Sequence, residues 1–325
     1  MSSDRVRVGV SSCLLGERVR FDGQHKRDAF VVDQLGKHVE WVPVCPELEV
    51  GMGVPREPVR LIRLSLNRPD PEVRMVGVKS GDDWTARMQR FAAARVRALD
   101  SEELSGFVLK AKSPSCGMTR VKVYDGDKTD RAPEPGGVGL FAAALMQRFP
   151  NLPVEEEGRL CDARLRENFI ERLFAYARLR RLWQTRWTLA TLIAFHTAHK
   201  MALLAHSTDG YRALGRLVGV GKSLPRAELR ERYEAEFMKT LARAATPGRH
   251  ANVLMHMLGH LSDHLDAGDR QELLAAIEAQ RGGRLPLVVP LTLIAHHARR
   301  LQTRYLLDQT YLHPHGDEIQ LRNRV

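Results

Sequence analysis

The sequence predicts an α/β N-terminal domain with a mostly parallel sheet, followed by an all-α helical domain. Three observations predict it. Apolar strand-like runs in the first half alternate with helical patterns, the signature of a parallel sheet. After about residue 160 glycine thins, strand-like runs vanish and long helical patterns take over. The chain has 325 residues, a length that suits two domains better than one. The bounds read as 1–160 for the first domain, 161–185 for a connecting helix and 186–325 for the helical domain.

In the first half, Val6 to Val10 reads as a strand after a charged start, Val39 to Val44 as a second and Phe107 to Lys110 as a third. Asp83 to Leu99 reads as a helix with Met88, Phe91, Val96 and Leu99 on one side, and Asp82 or Asp83 as its cap. Gly136 to Gly139 is expected to open a helix through Arg148. In the second half the helical patterns cover Ala163–Leu182, Thr188–His206, Asp209–Val218, Arg226–Ala245, Ala251–His264, Asp269–Gln280 and Pro290–Leu307. Breaks such as Thr246-Pro247-Gly248 and Gly282-Gly283 separate them.

Composition narrows the function classes. No run of about 18 apolar residues exists, so no transmembrane helix is expected. The start, MSSDRVRVGV, lacks an apolar signal core, and a cytoplasmic protein is expected. Four scattered cysteines do not resemble a disulfide framework and point to metal or catalysis. The balance is basic, with 50 Lys+Arg against 39 Asp+Glu. Residues 1–180 carry 30 basic and 26 acidic residues, net +4, and the shorter remainder carries 20 and 13, net +7. A polyanion is therefore expected on the second part, although a generally Arg-rich composition would give the same excess.

Cys13 follows the first strand in SSCLLG, Cys45 the second in VPVCPE and Cys116 the third in KAKSPSCG. Loops after the carboxyl ends of parallel strands converge on one edge, where ligands bind. Three thiols far apart in sequence are thus expected to meet. Gly16, Pro46, Pro114 and Gly117 permit the tight turns this needs, and Lys110 and Lys112 lie close enough to favour thiolates. Three thiolates leave one vertex of an iron–sulfur cubane open, which suits Lewis-acid chemistry. Thiolate-bound zinc with an open position fits the same residues. Cys161, in GRLCDARL, lies away from any strand end and is left out of the site.

These residues resemble the TudS thiouracil desulfidase family. The matching stretches are SSCLLG with Phe21–Gly23, then Cys45–Glu47, then SPSCG with Tyr124–Gly126, over about residues 5–157. Some relatives carry a further cysteine near Val19, and its absence implies that it is not a needed ligand. The second half, with RLCDARLRENFIERLFAYARL and FHTAHKMALLAHSTDGYRALGRLV, is similar to the helical domain of the fused RudS-type tRNA 4-thiouridine desulfidases. The resemblance implies a 4Fe–4S cluster on Cys13, Cys45 and Cys116 whose free iron takes the substrate sulfur. It implies Glu47 as general base and a serine of SPSC, Ser113 or Ser115 with Ser113 preferred, holding a water. The implied reaction is non-redox, hydrolytic removal of sulfur from thiouridine, giving uridine and hydrosulfide and consuming no reductant. Glu47 paired merely with Arg56 or Arg60, and the two serines as turn formers, are the simpler alternatives.

The implied partner is tRNA containing 4-thiouridine, bound partly by the helical domain. Arg178, Arg180, Arg181, Trp183, Arg186 and Trp187 interleave basic and aromatic residues, as contacts to phosphates and unstacked bases would. Four residues apart, Trp183 and Trp187 would share a helix face, which favours burial. Of the basic residues, Lys110, Lys112, Arg180, Arg181 and Arg186 are the candidate nucleic-acid contacts. Arg299, Arg300 and Arg304 suit a solvated face equally well. His256, His260 and His264 recur every four residues, and His196, His199 and His206 form a second group. Without an HExxH pattern, packing, capping or phosphate contact is favoured over metal. Competing readings are a desulfidase of free thiouracil or another small thioamide, a zinc hydrolase, and a non-enzymatic RNA-binding protein with a structural or redox-sensing cluster.

Overall fold

A computed structural model describes residues 5–64, 72–126 and 132–314. The outermost residues of the expected domains, 1–4 and 315–325, lie outside the described residues. The chain divides into two compact units, Met1–Asp162 and Ala163–Val325. Among the described residues no helix is long and apolar enough to cross a membrane.

The first unit contains β1 (Val6–Ser11), β2 (Val39–Val44), α1 (Pro46–Glu49), β3 (Val59–Leu64), β4 (Glu72–Gly77), α2 (Thr85–Ala98), β5 (Gly106–Leu109), β6 (Val121–Asp125), β7 (Glu134–Gly137), α3 (Leu140–Arg148) and β8 (Val154–Glu156). One sheet runs β2-β1-β5-β8 with every neighbouring pair parallel. Its two inner strands, β1 and β5, are largely apolar because both their faces are covered, and Val8, Val10, Phe107 and Val108 are wholly buried. Gly9 faces Phe107 across the register. A Cβ on Gly9 would meet the Phe107 ring at 2.2 Å, so only glycine lets that ring lie over the strand.

The three strands that carry the cysteines are as expected, within a residue at each end. A second sheet was not expected. It runs β4-β3-β6-β7, with β3 parallel to β6 and both outer pairs antiparallel. Its strands are short and rich in Arg, Lys and Gly, which hides them from a search for apolar runs. Gly136 and Gly137 belong to the edge strand β7, and α3 starts later, with Gly139 as its cap. Trp84, not Asp82 or Asp83, precedes α2, although the Asp83 carboxylate accepts the Thr85 N–H at 2.8 Å.

The second unit is wholly helical among its described residues: α4 (Ala163–Gln184), α5 (Leu189–His206), α6 (Thr208–Gly219), α7 (Arg226–Leu241), α8 (Pro247–Gly259), α9 (Ala267–Arg281), α10 (Val288–Arg300) and α11 (Arg304–Leu307), joined in places by short 3-10 turns. Thr188 caps α5 in a reciprocal box with Thr191. Thr246 lies in the break between α7 and α8, as expected, while Pro247 and Gly248 already belong to α8: Thr246 accepts the Arg249 N–H, and proline fits the first turn. Because α8 ends at Gly259, His264 sits in a separate turn, Ser262–His264, and does not continue the face carrying His256. The expected last helix is interrupted at Leu301–Thr303. Trp187 lies beyond the end of α4, yet its ring meets Trp183 edge-on at 4.9 Å, and both are buried.

Candidate active site

β1 lies between β2 and β5, so the carboxyl ends of the three strands are side by side. Cys13 sits in the 3-10 turn Ser12–Leu15 directly after β1. That turn is closed by Gly16 in the left-handed region, φ +101°, which glycine adopts without strain. Cys45 directly follows β2 and caps α1. Its N–H donates to Glu49 Oε1 at 2.9 Å, while Glu49 Oε2 accepts from Arg95 at 2.9 Å. Cys116 ends the SPSC turn after β5. Ser113 Oγ accepts the N–H groups of Ser115 and Cys116 at 3.2 and 3.1 Å, the local bonding that makes serine a turn former.

The N-terminus of α3 docks on the same turn. Leu140 N–H donates to the Pro114 carbonyl and Phe141 N–H to that of Ser115, each at 3.1 Å. Two otherwise unpaired donors at the helix start are thereby used.

The three thiols line one cavity of about 360 Å³ and are free. Each is held in its neutral form by burial. The Cys13 thiol is pushed up to about 12, mainly by burial, with Lys110 opposing and Cys45 adding. Burial likewise raises Cys45, against a backbone hydrogen bond from Leu48, and raises Cys116 well above the ordinary thiol value, against a hydrogen bond with Ser11. Cys116 also feels Cys13 and Cys45, so the three are electrostatic neighbours. Ionising all three in this cavity without a cation would be costly, so the donors suit a group that brings positive charge. Among the described residues no group of three or more His, Cys, Asp or Glu side chains is gathered to hold a metal ion. Cys161 is exposed, does not line the cavity and donates to the Glu157 carbonyl at 3.8 Å.

Glu47 lines the cavity beside the thiols. Its Oε2 accepts from Arg56 Nε at 3.1 Å and Nη2 at 2.5 Å. Its Oε1 accepts from Ser115 Oγ at 2.8 Å and Ser113 Oγ at 3.4 Å. Ser115 is fully buried and makes the shorter contact, whereas Ser113 lines the cavity. Arg56 Nη1 donates to the carbonyls of Val19 and Gly53, and its N–H donates to the Phe21 carbonyl.

The other sequence candidates are more dispersed. Lys110 lines the cavity but its ammonium pairs with Glu157 and donates to the Ala111 carbonyl. Lys112 lines it too, exposed and at φ +61°. Arg180 lies over the Tyr176 ring at 6.0 Å, and Arg181 and Arg186 are exposed, all in the helical unit. Arg178 is engaged within the helical unit: it donates to His199 Nε2 at 3.1 Å and to the Pro314 carbonyl at 2.7 Å. Arg300 is taken by Asp269 at 2.5 Å. His196 and His199 are core side chains, bonded to Tyr233 Oη and to the Phe195 carbonyl, and His206 meets Glu171 at 3.1 Å. Arg20, Phe21 and Lys26 line the cavity and were assigned no role from the sequence. The FDG stretch had marked Phe21 as part of a pattern without giving it a task.

A family model described as 2-thiouracil desulfurase matches residues 8–157, and one described as a protein of unknown function (DUF1722) matches 200–316. The uncharacterized protein YbgA of Escherichia coli (strain K12) is 32% identical over 161 residues, covering 49% of this chain and 95% of that protein. The uncharacterized protein YbbK of Bacillus subtilis (strain 168) is 32% identical over 138 residues, covering 42% and 88%. A solved structure described as a 4Fe-4S-dependent thiouracil desulfidase, TudS, is 30% identical, covering 49% of this chain and 95% of that one, with a TM-score of 0.38. Through residues 8–157, which contain all three cavity thiols and Glu47, the chain belongs to the 2-thiouracil desulfurase family.

Proposed function

We propose that the protein is a tRNA 4-thiouridine desulfidase that removes sulfur hydrolytically, without electron transfer. The observation that carries this reading is the meeting of Cys13, Cys45, Cys116 and Glu47 in one cavity, with Glu47 fixed from both sides. Cys13, Cys45 and Cys116, which line one cavity, would hold a 4Fe–4S cluster through their thiolates. When bound there, such a cluster supplies a soft Lewis acid matched to a soft sulfur leaving group.

The chain's own residues supply the rest. Glu47 Oε1, beside the two serine hydroxyls, takes a proton from a water whose oxygen attacks the carbon bearing sulfur. Ser113 lines the cavity and donates to Glu47 only at 3.4 Å; its O–H turns from that long contact to position the water. Ser115 and Arg56 hold the carboxylate in one orientation, so little reorganisation is needed at the moment of reaction. The carbon–sulfur bond breaks, the electron pair leaves with sulfur, the proton held by Glu47 is returned to it, and the attacking oxygen gives up its second proton to solvent as the carbonyl forms. The sum is thiocarbonyl plus water to carbonyl plus hydrosulfide and a proton. Phe21, 37% exposed beneath the Arg20 guanidinium, offers a flat face to the base at the cavity wall.

The volume of the cavity favours a second reading, free thiouracil, because about 300–1,000 Å³ is the usual range for small-molecule sites. The test is anaerobic purification followed by incubation with thiolated tRNA and, separately, with 4-thiouracil, without reductant. Loss of thiouridine absorbance with stoichiometric sulfide from tRNA is expected. Sulfide from the free base alone would select the second reading, and an iron-loaded protein that releases none from either would overturn both.

A further inference from the structure

A second cavity, of about 570 Å³, lies within the helical unit. Its wall takes Lys200 from α5, Tyr211 and Arg212 from α6, His256 from α8, His260 just after it and Tyr305 from α11. No carboxylate lines it. Elsewhere in this unit exposed cations face acids: Arg232 meets Glu228 at 3.0 Å, Lys239 meets Glu236 at 3.2 Å and Arg300 meets Asp269 at 2.5 Å. Among the described residues, Lys200 and Arg212 form no ion pair. Two permanent cations, Lys200 and Arg212, line one concavity that holds no carboxylate, and the positive potential they set up there is offset when an anion is present. The anion has its place between helices, a common position for ligand sites in bundles.

The rings narrow the class of anion. His260 and Tyr305 pack with centroids 4.7 Å apart, and Tyr211 lies parallel to the buried His196 ring at 6.2 Å. Rings fixed by such packing, beside cations, suit a ligand that carries both a phosphate and a flat heterocycle. We infer that this cavity binds a nucleotide phosphate: Lys200 and Arg212 take the phosphate and the Tyr305–His260 pair takes the base. The nucleotide is either free or one unit of a single strand. The inference stands on the helical unit alone and does not depend on desulfidase chemistry.

The test is titration calorimetry of the full chain at low salt with uridine monophosphate, a single-stranded uridine octanucleotide and inorganic phosphate. Saturable binding of one of the two nucleotide probes is expected, weakened at least tenfold by Arg212→Glu. Arg212 is exposed, so this variant disturbs no core. Arg232→Glu makes the same charge change at an exposed α7 position and should alter affinity less than twofold. A tighter octanucleotide points to a strand, and an equal or tighter monophosphate to a free nucleotide. Three results overturn the inference: no saturable binding of either nucleotide, equal weakening by the two variants, or inorganic phosphate binding as tightly as the nucleotides.

Discussion

Arg56 donates two hydrogen bonds to a single oxygen of Glu47 and leaves the other oxygen to the hydroxyls of Ser115 and Ser113. The side chains of the pair are 6% and 16% exposed, so each charge depends on the other for most of its compensation. Arg56→Met strands the Glu47 carboxylate and should destabilise the protein by about 3 kcal/mol, the low end for a buried pair because Glu47 keeps some water. Urea unfolding measures it, and an unchanged midpoint would show that the pair contributes nothing.

Glu47→Gln keeps the shape of the side chain and an acceptor for Arg56 but removes the base. Sulfide release should fall by about 10²- to 10⁴-fold with iron content unchanged. Full activity in that variant would take Glu47 out of the proton transfer.

The cysteines divide three against one. Cys13→Ala, Cys45→Ala and Cys116→Ala should each lose iron and sulfide release, while Cys161→Ala, at an exposed position outside the cavity, should keep both. Elemental analysis of anaerobically purified protein decides it. Iron lost on removing Cys161 would move the site.

Gly139 touches the turn of Cys116 through its backbone. A Cβ there would lie 2.4 Å from the Ser115 carbonyl oxygen, at a φ any residue accepts, so the obstacle is contact and not conformation. Gly139→Ala should cost about 1–3 kcal/mol, as overpacking does, and lower iron retention by displacing the turn. A thermal midpoint equal to the wild type would show that the turn yields freely.

The helical unit should weaken in acid. Burial depresses His199 to about 3 and His196 to about 4, against an ordinary 6.5. A histidine with a depressed folded value contributes stability that is fully present above 6.5 and is lost as pH falls towards the folded value. Each should withdraw roughly 2 kcal/mol between pH 6.5 and 5. His199→Gln should flatten the thermal midpoint against pH in that window, and an unaltered slope would assign the acid sensitivity elsewhere.

Much of the site could be read in the chain before any fold was seen, because its thiols follow apolar strands and parallel strands deliver their ends to one edge. The second sheet could not, since β3, β6 and β7 hold charged residues and glycines where periodicity looks for apolar ones. The Arg56–Glu47 pair could be named only as one alternative, since a separation of nine residues says nothing about which carboxylate an arginine will meet. The tight contact between Ser115 and Glu47 was equally hidden: a turn of serines and a proline does not announce which hydroxyl faces inward. Arg178 was hidden in a different way, as a basic residue in a basic run is a half-buried partner of His199.

The central place of β1 sets an order of assembly. Its neighbour β2 arrives some thirty residues later, but β5 follows only after about a hundred, with two strands of the second sheet, β3 and β4, made in between. A ribosome must therefore release everything through Cys116 before three sulfurs can be offered together. Any carrier delivering metal to these thiols would find them together only once the chain through Cys116 is out, and translation products cut short before Cys116 should be unable to sequester iron.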